Sequence, residues 1–241
     1  QHKSLVFLGE LVRILSSFYL ITKLFMNQVD IPRKPNTFLE LIINVVIPSL
    51  ILMKLSGPEF LGSVNALVIA LLFPTVYGLY ELVKFKSFNF ISLLGFLSTL
   101  LTGGIGLYEL DVEWLAIKEA AIPSAIGLVV FLSGFSQKPI IAKMLLNPVI
   151  FNLNLIYDSL ARLNNTDAFK AKINRANHFL TMTFVFSAVM NYWVAKWIVT
   201  SPTGTVEFNQ QLGEMTMLSY PIIAIPSMLM LIAILFYVVK T

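Results

Sequence analysis

The sequence predicts an all-α, polytopic helical membrane protein, and three observations carry that prediction. Of 241 residues, 57% are hydrophobic and only 12% charged, about half the charge of a soluble domain, and the mean hydropathy is +0.80. Several apolar windows are long enough, at 1.5 Å rise per residue, to cross a hydrocarbon core of about 30 Å with charges only near their ends. Lys and Arg collect in alternate connections between those windows. Lipid offers no partner to open backbone groups, and the short alternating segments of a barrel are missing, so each window must be helical.

Residues 4–26 come first. They are long enough to span, but Glu10 and Arg13 would sit near the bilayer centre, at about 2.5–3.5 kcal/mol each. Lys3, Glu10, Arg13 and Ser17 share one helical stripe, with Leu8, Leu11, Val12, Leu15 and Leu24 away from it. An interfacial amphipathic helix is expected, a seventh span being the alternative. Residues 1–36 are thus an N-terminal interfacial helix and linker, and 37–241 a single transmembrane domain. Its six transmembrane helices are expected at 37–56, 61–83, 88–109, 114–135, 179–200 and 216–239. Between spans 4 and 5, residues 136–178 form a cytoplasmic insertion. Asn147-Pro148, Asn152, Asn154 and Asp158 interrupt its apolar stretch, which reads as an interfacial helical segment with 164–178 as a polar, basic continuation.

Charge orients these spans. All Lys and Arg except Lys54, Lys118 and Lys196 fall in residues 1–36, the 84–86 turn, the 136–178 insertion and the C-terminus. The opposite connections carry Glu59, Glu109, Asp111, Glu113, Glu207 and Glu214. Both termini are therefore expected to be cytoplasmic. Trp114, Trp193 and Trp197 fall near the outer ends, as an interfacial aromatic belt requires.

Ionisable and polar groups inside the spans are the functional pointers, because they are costly there. Glu119 lies roughly 7–8 Å inside the outer end of the fourth span, beside Lys118 and before Pro123. Asn191, in a row with Thr183, Ser187 and Ala195 on the fifth span, could hydrogen-bond to it. Glu40 with Asn44, Tyr77 with Glu81, and Asn65 are lesser candidates for a ligand or proton site; each could equally be a register-fixing contact or a snorkelling side chain. Prolines at 48, 74, 123, 221 and 226 interrupt four spans, which carriers use to line a site and ordinary bundles tolerate as kinks. Rows Gly95, Thr99, Gly103 and Ser98, Thr102, Gly106 on the third span, facing Ala116, Ala120, Ser124 on the fourth, suggest a tight antiparallel hairpin. Residues 201–205 read as an outer turn.

The exclusions are as useful. With no Cys, disulfides and thiolate chemistry are impossible. His2 and His178 are too far apart for a local metal motif, and no phosphate loop, His-Glu-x-x-His or nucleophile elbow is present. No enzyme activity, cofactor, metal site or nucleic-acid partner is expected, and no signal peptide is read.

Ile42 to Lys54, with its Ile-Ile-Asn-Val-Val-Ile-Pro start, and Gln137-Lys138-Pro139-Ile140-Ile141-Ala142-Lys143-Met144-Leu145 resemble the intracellular septation protein A family and its broader relatives. Asn177, Phe184, Asn191, Phe208 and Gly213 follow in a similar order. The resemblance covers about residues 36–238. It implies a small bacterial inner-membrane protein associated with envelope synthesis and cell division, acting through membrane partners, and it brings no catalytic residues. The first 35 residues, the insertion at about 147–175 and the 201–205 turn depart from that pattern.

The expected function is a non-enzymatic inner-membrane scaffold or accessory subunit. Its basic surface of Lys138, Lys143, Lys170, Lys172 and Arg175 would contact anionic lipid headgroups, a membrane-protein partner or a second copy of the chain. The alternative is a small-solute or ion transporter with Glu119 and Asn191 at its site.

Overall fold

The computed structural model describes residues 40–85, 90–136, 139–146 and 152–240. The helix expected over 4–26 lies outside them, as does Lys138, and the Glu81 side chain is outside the description too. Among the described residues all regular structure is helical: α1 (Ile42–Leu55), α2 (Gly62–Phe85), α3 (Phe90–Leu107), α4 (Glu113–Ser133), α5 (Ile140–Leu145), α6 (Leu153–Arg162), α7 (Thr166–Ile198) and α8 (Val206–Val239). Three are long and apolar enough to cross a bilayer, Gly62–Tyr80 of α2, α4 and α8. The chain is accordingly a helical, multi-pass membrane protein.

α1 and α3 are apolar as well, and their described parts, Ile42–Leu55 and Phe90–Leu107, fall within the windows expected at 37–56 and 88–109. The expectation of six uniform spans changes in two places. The 179–200 window is not a separate element. It continues the polar segment before it in one 33-residue helix, α7, because no Pro or Gly occurs from Thr166 to Ile198. Asn191 and Lys196 keep that window less apolar than the three long spans. Finally, α8 starts ten residues before the expected 216. Thr205 Oγ1 accepts the Phe208 N–H at 3.1 Å and caps the helix. The turn before it, at 201–205, is as expected and places Gly204 at φ +83°.

The expected proline breaks are not breaks. α2 and α4 run through Pro74 and Pro123. At Pro48 and Pro226 the preceding turn widens instead: Ile47 N–H reaches Ile42 O, and Ile225 N–H reaches Tyr220 O, each five residues back. A π-turn absorbs the ring that would collide with the carbonyl one turn earlier.

The described chain divides into two compact units, one within residues 129–178 and a larger one of the described parts of 33–128 and 179–241. In the larger unit, Leu52, Leu67, Ala70, Ile105, Leu115, Phe208, Leu212 and Met215 share one core. The first half of α8 packs chiefly on α1. Gly213 makes this possible, since a Cβ there would lie 2.8 Å from Ser49 O. The small residues of α3 divide their duties differently from the expected hairpin. Gly103 and Gly106 back onto Leu71 and Leu67 of α2, and Ser98 and Thr102 turn to α4. Asn209, buried on α8, donates to Ser63 O at 2.7 Å and Ser56 Oγ at 3.2 Å, tying α8 to the α1–α2 turn.

The 129–178 unit is organised by Asn177, fully buried on α7. Its Nδ2 donates to Val130 O at 2.7 Å, and its Oδ1 accepts Ile141 N–H at 3.3 Å. Ser133 Oγ accepts Ile140 N–H at 3.1 Å. A carbonyl from the last turn of α4 and the first N–H groups of α5 would otherwise be orphans.

Candidate functional site

The candidate site is built around Lys118. α4 opens with Glu113 in its first turn, where an acidic residue opposes the helix dipole, and its next turns carry Lys118 into the apolar span. The residue is only 7% exposed, in a segment where an unpaired ammonium would be prohibitive. Its Nζ donates to Thr102 Oγ1 at 2.7 Å and to Ser98 Oγ at 3.3 Å, and it pairs with Glu119 Oε1 at 2.5 Å. Ser98 and Thr102 are four apart on α3 and so share a face. Thr102 sends its own hydroxyl proton to Ser98 O at 3.0 Å, which leaves its lone pairs for the ammonium.

Three ammonium hydrogens thus meet three acceptors, and Lys and Glu cancel in charge. The Glu119 side chain keeps 23% of its surface exposed, so the carboxylate is the outward-facing member of the pair. This arrangement can hold α3 to α4.

The expected partnership of Glu119 with Asn191 is not formed. Asn191 Nδ2 turns back along α7 to Ser187 O at 2.8 Å and Ser187 Oγ at 3.2 Å, because an amide inside a helix reaches its own preceding turn without any ordering of a second helix. Asn65 does the same to Leu61 O at 2.9 Å. Glu40 just before α1 and Asn44 in its first turn are half-buried, and Asn44 Oδ1 is buried without a hydrogen-bond partner among the described residues. Tyr77 lines a separate apolar groove of about 450 Å³ with Ile43, Phe73 and Tyr80. At the start of α4, Glu113 Oε1 takes Lys196 Nζ at 3.2 Å and the Tyr192 hydroxyl at 3.1 Å. Trp114, Trp193 and Trp197 are exposed, as belt residues would be.

Of the basic surface, Lys143, Lys170 and Arg175 are exposed on α5 and α7, and Lys172 is half-buried. His178 is exposed, its ring 6.1 Å from that of Phe131. Among the described residues no three His, Asp or Glu come together as a metal site.

Sequence reasoning missed two things here. It treated Ser98 and Thr102 as small packing residues, although hydroxyls facing a helix that carries Lys118 were a usable signal. It also missed Asn177 as a capping group, for which spacing offers no signal. No family model, no curated protein and no solved structure matches the chain.

Proposed function

We propose that this chain is a non-enzymatic scaffold or accessory protein of a bacterial inner membrane. In this reading it crosses six times, with α1, α3 and the outer half of α7 joining the three long spans, and both termini are cytoplasmic. The carrying observation is the segment from α5 to the start of α7. It presents Lys143, Lys170 and Arg175 to solvent, and α6 beside it buries none of its residues. Each such cation is worth about 1 kcal/mol beside anionic lipid, so the segment suits headgroups or an acidic partner.

The envelope context comes from the septation protein A resemblance of the sequence alone. Saturation of Lys118 favours a structural pair over a ligand site. The test is recovery of anionic lipid and of membrane partners by the purified chain. Replacing Lys170, Lys172 and Arg175 together by Gln should reduce it severalfold, and unchanged recovery would contradict the proposal.

A transporter is the second reading, favoured by one observation, the partly exposed Glu119 carboxylate inside a span. Glu119→Gln in a reconstituted flux assay tests it: solute uptake that falls while the fold is intact supports a carrier.

A further inference from the structure

The 129–178 unit contains a cavity of about 520 Å³ between the α4–α5 connection, α5, α6 and the start of α7, a volume within the range of small-molecule sites. Its lining is split by chemistry. Lys170 and Asn174, four apart on α7, and Tyr157 of α6 contribute an ammonium, an amide and a phenol, while Leu146, Phe169 and Ile173 are apolar. We infer that this cavity binds the phosphate headgroup of one anionic glycerophospholipid, an inference that rests on, and deepens, the lipid-reading surface proposed above.

The phosphate is argued from the donors. Among the described residues Lys170 is held only by Asp167, at 3.5 Å with the two side chains 71% and 99% exposed; such a pair is worth little and yields readily to a better anion. Asn174 and Tyr157 can donate beside it, and none of the three is an acid. The lipid source is argued from the remaining wall and from α6. A soluble phosphate has no use for Leu146, Phe169 and Ile173, whereas the glycerol and first methylenes of a lipid do. Leu153, Ile156, Tyr157 and Leu160 stand at i, i+3, i+4 and i+7 on α6, with Asn154, Asp158 and Arg162 on the other side. None is buried within the protein, which is the pattern of a helix lying in the interface. Tyr157 belongs to both that stripe and the cavity, so a helix floating at headgroup depth brings the cavity there too.

The experiment uses the full chain in detergent, titrated with dioctanoyl phosphatidylglycerol and followed by native mass spectrometry, with dioctanoyl phosphatidylcholine as the uncharged control. One phosphatidylglycerol should be retained in preference to phosphatidylcholine. Lys170→Gln should weaken retention by about thirtyfold, a charged hydrogen bond lost, and Lys143→Gln, outside the cavity, by no more than about fivefold, one diffuse charge. Ala142→Phe, which fills the cavity without changing charge, should abolish retention. If that variant fails to fold, Tyr157→Phe with Asn174→Leu takes its place and should weaken retention at least fivefold. Equal losses for Lys170→Gln and Lys143→Gln would overturn the cavity while leaving the basic surface standing. No preference for phosphatidylglycerol at all would overturn both. Displacement by millimolar glycerol phosphate would assign the cavity to a soluble phosphoester and overturn the lipid.

Discussion

The two units each bury a polar centre, and they solve the same problem in opposite ways. In the larger unit Lys118 brings a charge into a span and is met by side chains alone, Glu119, Ser98 and Thr102. In the 129–178 unit Asn177 brings no charge and is met largely by backbone, Val130 O and Ile141 N–H. A charged centre must be exchanged as a set, because removing one member strands another. An amide that closes helix ends has no set to exchange, since the backbone groups it serves remain whatever replaces it.

This contrast orders the expected effects of substitution, all measurable as unfolding free energies in micelles. Lys118→Met should be the most damaging, about 3 kcal/mol, because Glu119 stays behind in the span. Adding Glu119→Gln should return a substantial part of that loss; a double variant no better than the single one would mean the pair is not coupled. Asn177→Ala should cost about 2–3 kcal/mol, and no second substitution among its side-chain neighbours should rescue it, Ser133→Ala included. Gly134→Ala sharpens the same point more gently. The added Cβ would lie 3.0 Å from Asn177 Nδ2 and 3.1 Å from Phe131 O, so a cost of about 1 kcal/mol is expected. If Gly134→Ala were neutral, the amide would have more freedom than its hydrogen bonds to Val130 O and Ile141 N–H suggest.

Much of the fold was legible because hydropathy and length are properties of one segment at a time. α2, α4 and the second half of α8 fall where windows of about 20 apolar residues predict them. The misplaced boundaries depend on local chemistry that hydropathy ignores. The cap at Thr205 starts α8 within an acidic segment, and the lack of any breaker fuses the basic continuation with the fifth window into α7. Glu119 and Lys118 were visible as charges in a span, which is a statement about a single helix. Their partners Ser98 and Thr102 were not, because pairing between helices depends on rotation and depth that periodicity leaves free. Asn191 was assigned to Glu119 for the same reason and chose Ser187 on its own helix instead. The basic surface was read from charge, but the cavity beside it needed the folding back of α5 and α6 to exist.

The account depends most on which side of the bilayer the basic segment occupies. The chain has no Cys, so single cysteines can be introduced at exposed positions without background, at Pro202 in the outer turn and at Ala168 near the start of α7. A membrane-impermeant maleimide should label Pro202→Cys in intact spheroplasts and Ala168→Cys only after their lysis. Labelling of Ala168→Cys in intact spheroplasts would invert the topology and contradict the lipid-reading surface built on it.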